Sequence, residues 1–319
     1  MAKAHAFRIA TTDGENLHAT RFAPENGHEL PMVAVINAGA GIPATYYRRF
    51  AERLADLGIV TITYDYRGIG PSRPVKLRGF RATIKDWGEF DAPAALRWAR
   101  EHYPDRQRAV IGHSVGGFLA GFASDSTLID RMVLVGAHTG YWGDYARRAR
   151  PLMWFMWHAV MPAVTKAMGY FPARRLGLPE DLPAGIALDW AVRTRPDFKR
   201  SFRRADGSID IDRIAAMRSR FEALEVNVLV VSVSDDPFAT PAAIARLRGL
   251  FSRCRFEESR IDVRSTNLRK IGHFGFFRSS AREKLWPVVT DWLVAAAEMG
   301  SPTVPRGQPK DLRQIEGGW

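Results

Sequence analysis

The chain contains a single cysteine among its 319 residues, Cys254, so no intramolecular disulfide can form. A chain without disulfides suits a reducing compartment, and we therefore expect a cytoplasmic location. The N-terminus has no long apolar segment, which predicts that no signal peptide is present. The aromatic-rich run at residues 151–162 is shorter than the about 20 apolar residues that a membrane-spanning helix needs. These absences argue against a secreted disulfide scaffold and against a transmembrane protein.

Nucleic-acid-binding motifs are also missing, although the formal net charge is +12. The arginines are scattered in pairs, without a zinc-ligand cluster, an RNA-recognition signature or a stripe of basic and aromatic residues. We therefore expect no nucleic-acid partner and no metal site. An arginine-rich composition accounts for most of the charge, while an acidic substrate or a peripheral membrane contact with anionic lipid stays open.

Apolar runs of strand length alternate with segments of helical periodicity along most of the chain. The strand-like runs lie at residues 7–12, 17–22, 31–36, 59–64, 110–111, 131–136, 226–234 and 256–263, and helical spacing occurs at 46–57, 83–103, 241–251 and 281–299. The turn residues 13–16 predict that the first two runs form a hairpin of antiparallel edge strands. The alternation as a whole predicts an α/β fold with a mostly parallel eight-stranded sheet and helices on both faces.

This alternation stops between residues 141 and 222, an interval rich in aromatics, proline and arginine. Its central run at 151–162 predicts a helical cap over the carboxyl edge of the sheet, in which Trp154 and Trp157 present an apolar wall to substrate. A helix packed in the core and a helix lying on a membrane surface are the alternatives. The predicted division is a core at 1–140 and 223–300, a cap at 141–222 and a C-terminal tail at 301–319.

The most informative stretch is a Gly-x-Ser-x-Gly sequence, in which Ser114 lies between Gly112 and Gly116. The β-branched residues before it and the small apolar residues after it predict a strand, a tight turn and a helix. In such a nucleophile elbow the serine hydroxyl projects from the turn, and a Cβ at the flanking positions would strike neighbouring backbone. The N–H of Val115 would then donate to an oxyanion. The alternative is a glycine-rich strand-to-helix connection of a nucleotide-binding protein.

A serine nucleophile needs a base, and the base needs a carboxylate to orient it. His273 lies in a loop after the last strand-like run, and Asp235 and Asp236 end the run before it. The chain order serine, aspartate, histidine is that of elbow-type hydrolases, and all three positions follow carboxyl ends of predicted parallel strands. We favour Asp236 over Asp235 as the orienting acid because it directly precedes the turn-forming Pro237.

Two further elements are expected at the same edge of the sheet. The small residues at 37–41 follow a buried strand, and a backbone N–H in this loop would be the second oxyanion donor. We choose the N–H of Ala40, with that of Gly39 as the alternative. His138 leaves another strand at this edge, so we expect it to line the substrate pocket.

With these residues in hand, the chain resembles the α/β-hydrolase superfamily over residues 7–299. The resemblance is carried by the elbow at 112–117, the loop at 65–72, Asp236 and His273. A narrower likeness, to predicted α/β-hydrolases near the serine aminopeptidase and monoglyceride lipase-like branch, rests on the sequences at 37–41, 46–51 and 271–277. The His-Gly pair common at the family's oxyanion loop is replaced here by Ala38 and Gly39. The resemblance implies the α/β-hydrolase fold and a hydrolase activity, and it does not identify the substrate.

Together these features predict a serine hydrolase that cleaves a carboxylic ester or thioester with an apolar part through an acyl enzyme, without a cofactor. Its partner would be a small-molecule substrate, and the sequence leaves the oligomeric state open. An acyltransferase, or an amidase or peptidase, would use the same three residues. A non-catalytic ligand-binding protein with this fold is the alternative from a different functional class.

Overall fold

The computed structural model describes residues 2–25, 27–177, 179–192, 197–204 and 206–300, so the predicted tail at 301–319 lies outside the described residues. The strands are β1 (Lys3–Ala10), β2 (Asn16–Ala23), β3 (Met32–Asn37), β4 (Val60–Tyr64), β5 (Gln107–His113), β6 (Arg131–Val135), β7 (Tyr170–Phe171), β8 (Leu182–Pro183), β9 (Asn227–Val233) and β10 (Arg255–Ile261). Eight of them form one sheet in the order β1-β2-β4-β3-β5-β6-β9-β10.

The pairing within this sheet is mostly parallel. β1 pairs antiparallel with β2, and β2 pairs antiparallel with β4, whereas every later pair of neighbours is parallel. The predicted mostly parallel eight-stranded sheet is therefore confirmed. The prediction that both hairpin strands are edge strands is wrong for β2, which pairs with β4 on its other side. The reason is that residues 19–22 of β2 pair with residues 61–64 of β4, so the backbone groups that face away from β1 are also hydrogen-bonded.

The burial of each strand follows its position in the sheet. Every residue of β3, β4, β5 and β6 is buried, as expected for central strands of a sheet that is covered on both faces. The edge strand β10 instead carries charged residues at exposed positions, which protects an open edge from pairing with another chain. The core therefore lies around the central parallel strands, and their carboxyl ends carry the loops described below.

Helices connect and flank these strands. They are α1 (Arg48–Asp56), α2 (Ile84–Asp86), α3 (Ala92–His102), α4 (Val115–Phe122), α5 (Arg150–Phe155), α6 (Met161–Met168), α7 (Ala184–Val192), α8 (Ile211–Glu222), α9 (Pro241–Arg248) and α10 (Trp286–Glu298). None of the helices in the described part of the chain is long and apolar enough to cross a membrane.

Two predicted helices differ from the structure in their details. The segment predicted as one helix at 83–103 is divided into α2 and α3 by a π-helical turn, Trp87–Asp91, in which Asp91 binds the backbone N–H and the Nε of Arg67. The last helix begins at Trp286 rather than near residue 281, because Pro287 fits only the first turn of a helix.

The interval at 141–222 contains helices α5 to α8 and, in addition, the short antiparallel pair β7 and β8, which the sequence pattern did not predict. The start of this interval is fixed to the loop and helix after β9. Asp144 forms an ion pair with Arg246, and the N–H of Ala146 donates to the carbonyl of Pro237 at 2.8 Å. The division into a core and a cap at residues 141 and 222 stays a prediction.

Candidate active site

The turn between β5 and α4 has the strained geometry of a nucleophile elbow. Ser114 adopts φ 53° and ψ −122°, a conformation that costs a residue with a Cβ free energy and persists where the surrounding structure enforces it. A Cβ on Gly112 would lie 2.4 Å from the Cα of Gly117, and a Cβ on Gly116 would lie 2.1 Å from the carbonyl oxygen of Asn37. The two glycines therefore allow the elbow helix to pack tightly against its own strand and against the end of β3.

Three side chains from separate loops meet at this turn. The Nε2 atom of His273 lies 3.0 Å from the Oγ of Ser114, and its Nδ1 lies 2.8 Å from Oδ2 of Asp236. Since a carboxylate accepts hydrogen bonds, the proton of the neutral imidazole is on Nδ1, and Nε2 accepts from the Ser114 hydroxyl. All three residues are buried. The arrangement places a base on the serine and a carboxylate on the base.

Asp236 is held in its ionised form by its surroundings. Burial alone would raise its pKa, but the neighbouring His273 and the N–H groups of Phe238 and Ala239 outweigh burial and lower the pKa below its ordinary value. Both N–H groups donate to Oδ1, at 2.8 and 3.1 Å, which leaves Oδ2 for the imidazole. Asp235 has a different role, because its two carboxylate oxygens accept the N–H groups of Ile271 and Gly272, each at 2.9 Å. It thereby holds the loop that carries His273.

The loop after β3 approaches the serine closely. A Cβ on Gly39 would lie 3.5 Å from the Cβ of Ser114. The N–H of Gly39 donates to the hydroxyl of Tyr47 at 2.8 Å, so it is already used within the protein. Within the described residues, neither the N–H of Ala40 nor that of Val115 donates a hydrogen bond to a protein acceptor. These two groups are therefore available to a bound ligand.

A chain of buried hydrogen bonds connects this loop to the histidine loop. His113 Nε2 lies 3.1 Å from the carbonyl of His273 and donates to it, so Nδ1 accepts from the Tyr47 hydroxyl at 2.7 Å. Burial, followed by the charge of His273, lowers the pKa of His113 to about 3, which keeps its ring neutral. Sequence reasoning missed Tyr47; the tyrosine pair at 46–47 is the signal that was present.

A small cavity lies beside the elbow and is lined by Val115, His138, Thr139, Gly140 and Trp190. Its volume of about 10 Å³ is enough for roughly one water molecule. His138 thus lies in the cavity wall, with its ring centroid 5.4 Å from that of His273. Trp190, on α7, was missed by sequence reasoning, because no sequence motif identifies a half-buried tryptophan in a helix as part of a site.

The two tryptophans expected at the wall lie elsewhere. The ring of Trp157 is in edge contact with that of Trp190, with centroids 5.9 Å apart, and therefore lies behind the cavity wall. Trp154 is 47% exposed and stacks on His158. The expectation that Trp154 presents its ring to substrate is not met in this structure, since its side chain lies on the outer face of the helical run that begins with α5.

No group of three or more histidine, cysteine, aspartate or glutamate side chains within the described ranges is arranged to hold a metal ion. The contacts among Ser114, His273 and Asp236 can support proton transfer and nucleophilic attack.

Comparisons with known proteins agree with this architecture. A family model described as alpha/beta hydrolase fold matches residues 31–278. Among solved structures, a putative hydrolase from Agrobacterium vitis is similar with 17% identity and a TM-score of 0.55, and the alignment covers 91% of this chain and 98% of that one. An esterase from Pyrococcus furiosus is similar with 15% identity and a TM-score of 0.58, covering 94% and 92%. An N-formylmaleamic acid deformylase from Pseudomonas putida is similar with 17% identity and a TM-score of 0.53, covering 90% and 100%.

The family match spans most of the chain, including the elbow, Asp236 and His273. It confirms the predicted superfamily and the predicted α/β-hydrolase fold, whereas the narrower branch near the serine aminopeptidases and monoglyceride lipases stays a prediction. The sheet order, the elbow and the family model lead to one conclusion: this chain belongs to the alpha/beta hydrolase fold family.

Proposed function

We propose that this protein is a serine hydrolase that cleaves a small carboxylic ester or thioester through an acyl-enzyme intermediate. Family membership supports a hydrolase. The observation that carries the more specific proposal is the continuous hydrogen-bond chain from the Ser114 hydroxyl through the imidazole of His273 to the carboxylate of Asp236. A serine hydroxyl is a weak nucleophile at neutral pH, and this chain supplies the base that activates it.

In the first half of the reaction, Ser114 Oγ forms a bond to the substrate carbonyl carbon while His273 Nε2 takes the hydroxyl proton. The negative charge develops on the carbonyl oxygen, which accepts hydrogen bonds from the N–H groups of Val115 and Ala40. The bond to the alcohol or thiol then breaks, and His273 returns the proton to the leaving group. Asp236 holds the imidazole in the required tautomer and stabilises its charged form.

In the second half, water attacks the acyl enzyme and gives its proton to His273 Nε2. The bond between the acyl carbon and Ser114 Oγ breaks, the serine regains the proton, and the carboxylic acid leaves. Each oxyanion donor contributes roughly 10²–10³ to turnover in comparable sites. Gly39 is the less suitable second donor because its N–H is already bound to Tyr47.

Replacement of the nucleophile tests this proposal. We expect Ser114→Ala to lower the turnover of p-nitrophenyl acetate by roughly 10⁵-fold or more, because the attacking oxygen is removed. The same variant should lose labelling by a fluorophosphonate probe. Ser219→Ala is the matched control, since Ser219 is exposed on α8, and it should keep both activities.

Three outcomes would contradict the proposal. Labelling of the Ser114→Ala variant at the wild-type rate would place the nucleophile elsewhere. A folded wild-type protein that binds esters but reacts with no probe would indicate a binding protein. Formation of a new ester with an added alcohol, faster than release of acid, would indicate an acyltransferase.

A further inference from the structure

The cavity beside the elbow limits what can be attached to the reacting carbonyl carbon. Val115, which directly follows Ser114, lines the cavity on one side, and His138, whose ring lies 5.4 Å from that of His273, lines it on another. When the carbonyl carbon of a substrate is bound at Ser114, a group attached to that carbon would therefore lie next to this cavity. The volume of about 10 Å³ leaves room for roughly one group of the size of a water molecule, so a longer chain would have to displace side chains of the wall.

The two substituents of the carbonyl carbon have different requirements. The leaving alcohol or thiol receives its proton from His273 and must diffuse away before water can attack. The acyl part stays bound to Ser114 until the second half of the reaction. An enclosed cavity slows exit but does no harm to a group that remains covalently attached. This difference assigns the cavity to the acyl group.

Trp190 forms the part of the wall that is contributed by the interval at 141–222. Its Nε1 would lie 3.9 Å from a Cβ placed on Gly140. On its other side the ring of Trp157 packs edge to face at 85°, and Trp157 in turn packs edge to face on Tyr145 at 86°. The ring of Tyr145 contacts that of His138 at a centroid distance of 5.5 Å. Trp190 is thus held between the cavity and a second layer of rings.

We propose that Trp190 sets the acyl specificity of this protein and restricts it to acyl groups of one or two carbons, formyl and acetyl. This inference rests on the proposed serine hydrolase function. It narrows the substrate class to small acyl esters or thioesters, with the size and polarity of the alcohol or thiol part set by other surfaces. Trp190 acts by filling space and takes no part in proton transfer.

A chain-length series of p-nitrophenyl esters tests the proposal, because the leaving group stays constant while the acyl group grows. For the wild-type protein we expect kcat/KM to fall at least about 10-fold from acetate to butyrate and about 100-fold to octanoate, since one methylene that does not fit a pocket changes kcat/KM by roughly 10- to 200-fold. In Trp190→Ala the ratio of octanoate to acetate should rise at least about 10-fold. Trp190→Phe should lie between the two, and it serves as the second variant where the alanine variant unfolds.

Trp98→Ala is the matched control. Trp98 is a half-buried tryptophan on α3 whose ring packs on Phe7 and His102, away from the elbow. It should keep the wild-type ratio of octanoate to acetate. A second series, of acetate esters with alcohols of increasing size, should show less than about 10-fold variation in kcat/KM for the wild-type protein.

The results that would overturn this proposal are distinct from those that would overturn the function. A wild-type protein that is labelled at Ser114 by a fluorophosphonate but hydrolyses octanoate as fast as acetate refutes the size limit alone. An unchanged ratio in both Trp190 variants also refutes it, as does size selection in the alcohol series in place of the acyl series. Loss of the function itself would instead appear as undiminished labelling in Ser114→Ala.

Discussion

The two sides of the candidate site are held by different kinds of contact. On the sheet side, the loops that follow β3, β5, β9 and β10 are joined by short, directional hydrogen bonds between buried groups. On the opposite side, the rings of Tyr145, Trp157 and Trp190 contact one another and the rings of His138 and Phe238 edge-on. Their centroid distances are 5.1 to 6.5 Å. Proton transfer requires atoms fixed at hydrogen-bond distance, whereas a wall needs only the right volume.

The two sides should therefore respond differently to amino-acid substitution. Ring contacts tolerate a wider range of distances than hydrogen bonds do. A substitution in the wall therefore alters the volume beside Ser114 while the hydrogen bonds on the sheet side remain. The outer surface of the helical run from α5 shows how weakly that side is constrained, since Leu152, Trp154 and Phe155 are each about half exposed or more. We therefore expect substitutions on the sheet side to affect rate, and substitutions in the wall to affect selectivity.

Among substitutions that leave Ser114 in place, the largest effect is expected from Asp236→Asn. The asparagine oxygen can accept the N–H groups of Phe238 and Ala239, but its amide then faces His273 Nδ1 and forces the imidazole into the wrong tautomer. The serine loses its base, and kcat should fall roughly 10⁴-fold. Steady-state kinetics with p-nitrophenyl acetate measure this loss, and the wild-type circular dichroism spectrum should be retained.

Asp235→Asn is the matched variant for that experiment. It keeps the contact between Asp236 and His273 and weakens one of the two bonds to the loop at 271–272. A lost buried hydrogen bond of this kind costs about 1–3 kcal/mol of stability. If Asp235→Asn abolishes turnover while Asp236→Asn does not, the assignment of the orienting acid is reversed.

A smaller effect is expected from Tyr47→Phe. The variant leaves the Gly39 N–H and the His113 Nδ1 without a partner, so the loop that carries the Ala40 N–H becomes less well fixed. We expect kcat to fall about 10-fold, with KM nearly unchanged, because the affected hydrogen bond forms mainly in the transition state. The same change should lower the free energy of unfolding by about 1–3 kcal/mol.

Tyr103→Phe provides the control, since its hydroxyl binds Arg21 at the surface of the sheet and contacts no loop of the site. It should leave kcat unchanged. A rise of KM in Tyr47→Phe at constant kcat would mean that Tyr47 supports substrate binding. The hydrogen bonds of Tyr47 with Gly39 and His113 would then have no role in oxyanion stabilisation.

The smallest effect on turnover is expected from Asp65→Asn. Asp65 directly follows β4 and accepts the N–H of Ala44. Burial, opposed in part by the N–H of Ala44 and reinforced by the charge of Glu180, raises the pKa of Asp65 to about 7. The folded protein therefore binds this proton more tightly than the unfolded chain does. As the pH rises from about 4 to 7, Asp65 lowers the free energy of unfolding by about 1.4 kcal/mol for each unit by which its pKa is raised.

Asn cannot ionise, so Asp65→Asn should remove this pH dependence. Urea unfolding at pH 5 and at pH 8 measures this dependence. The free energy of unfolding of the variant minus that of the wild type should be larger at pH 8 than at pH 5, while kcat at pH 8 stays the same. An equal difference between variant and wild type at both pH values would show that Asp65 is ionised throughout the range.

Much of the sheet could be predicted from local patterns. The nearly continuous apolar run of β3 and the alternation with helices specify buried parallel strands, because only such strands have both faces covered. The positions of Ser114, Asp236 and His273 at strand ends follow from the same pattern. Local patterns were less reliable where a neighbouring strand or a buried ion pair decides the outcome, as in the inner position of β2 and the π-helical turn beside Arg67.

The amino-acid sequence by itself determined the order of the strands along the chain, the elbow with its two glycines, and the acid and base residues available to the serine, because each depends on residue type and local spacing. Only the tertiary structure decided that Asp236 rather than Asp235 lies beside His273, that Tyr47 occupies the N–H of Gly39, and that Trp190 rather than Trp154 closes the cavity. These contacts join residues far apart in the chain, and their distances depend on how the loops and helices pack in three dimensions, which no local pattern of residues specifies.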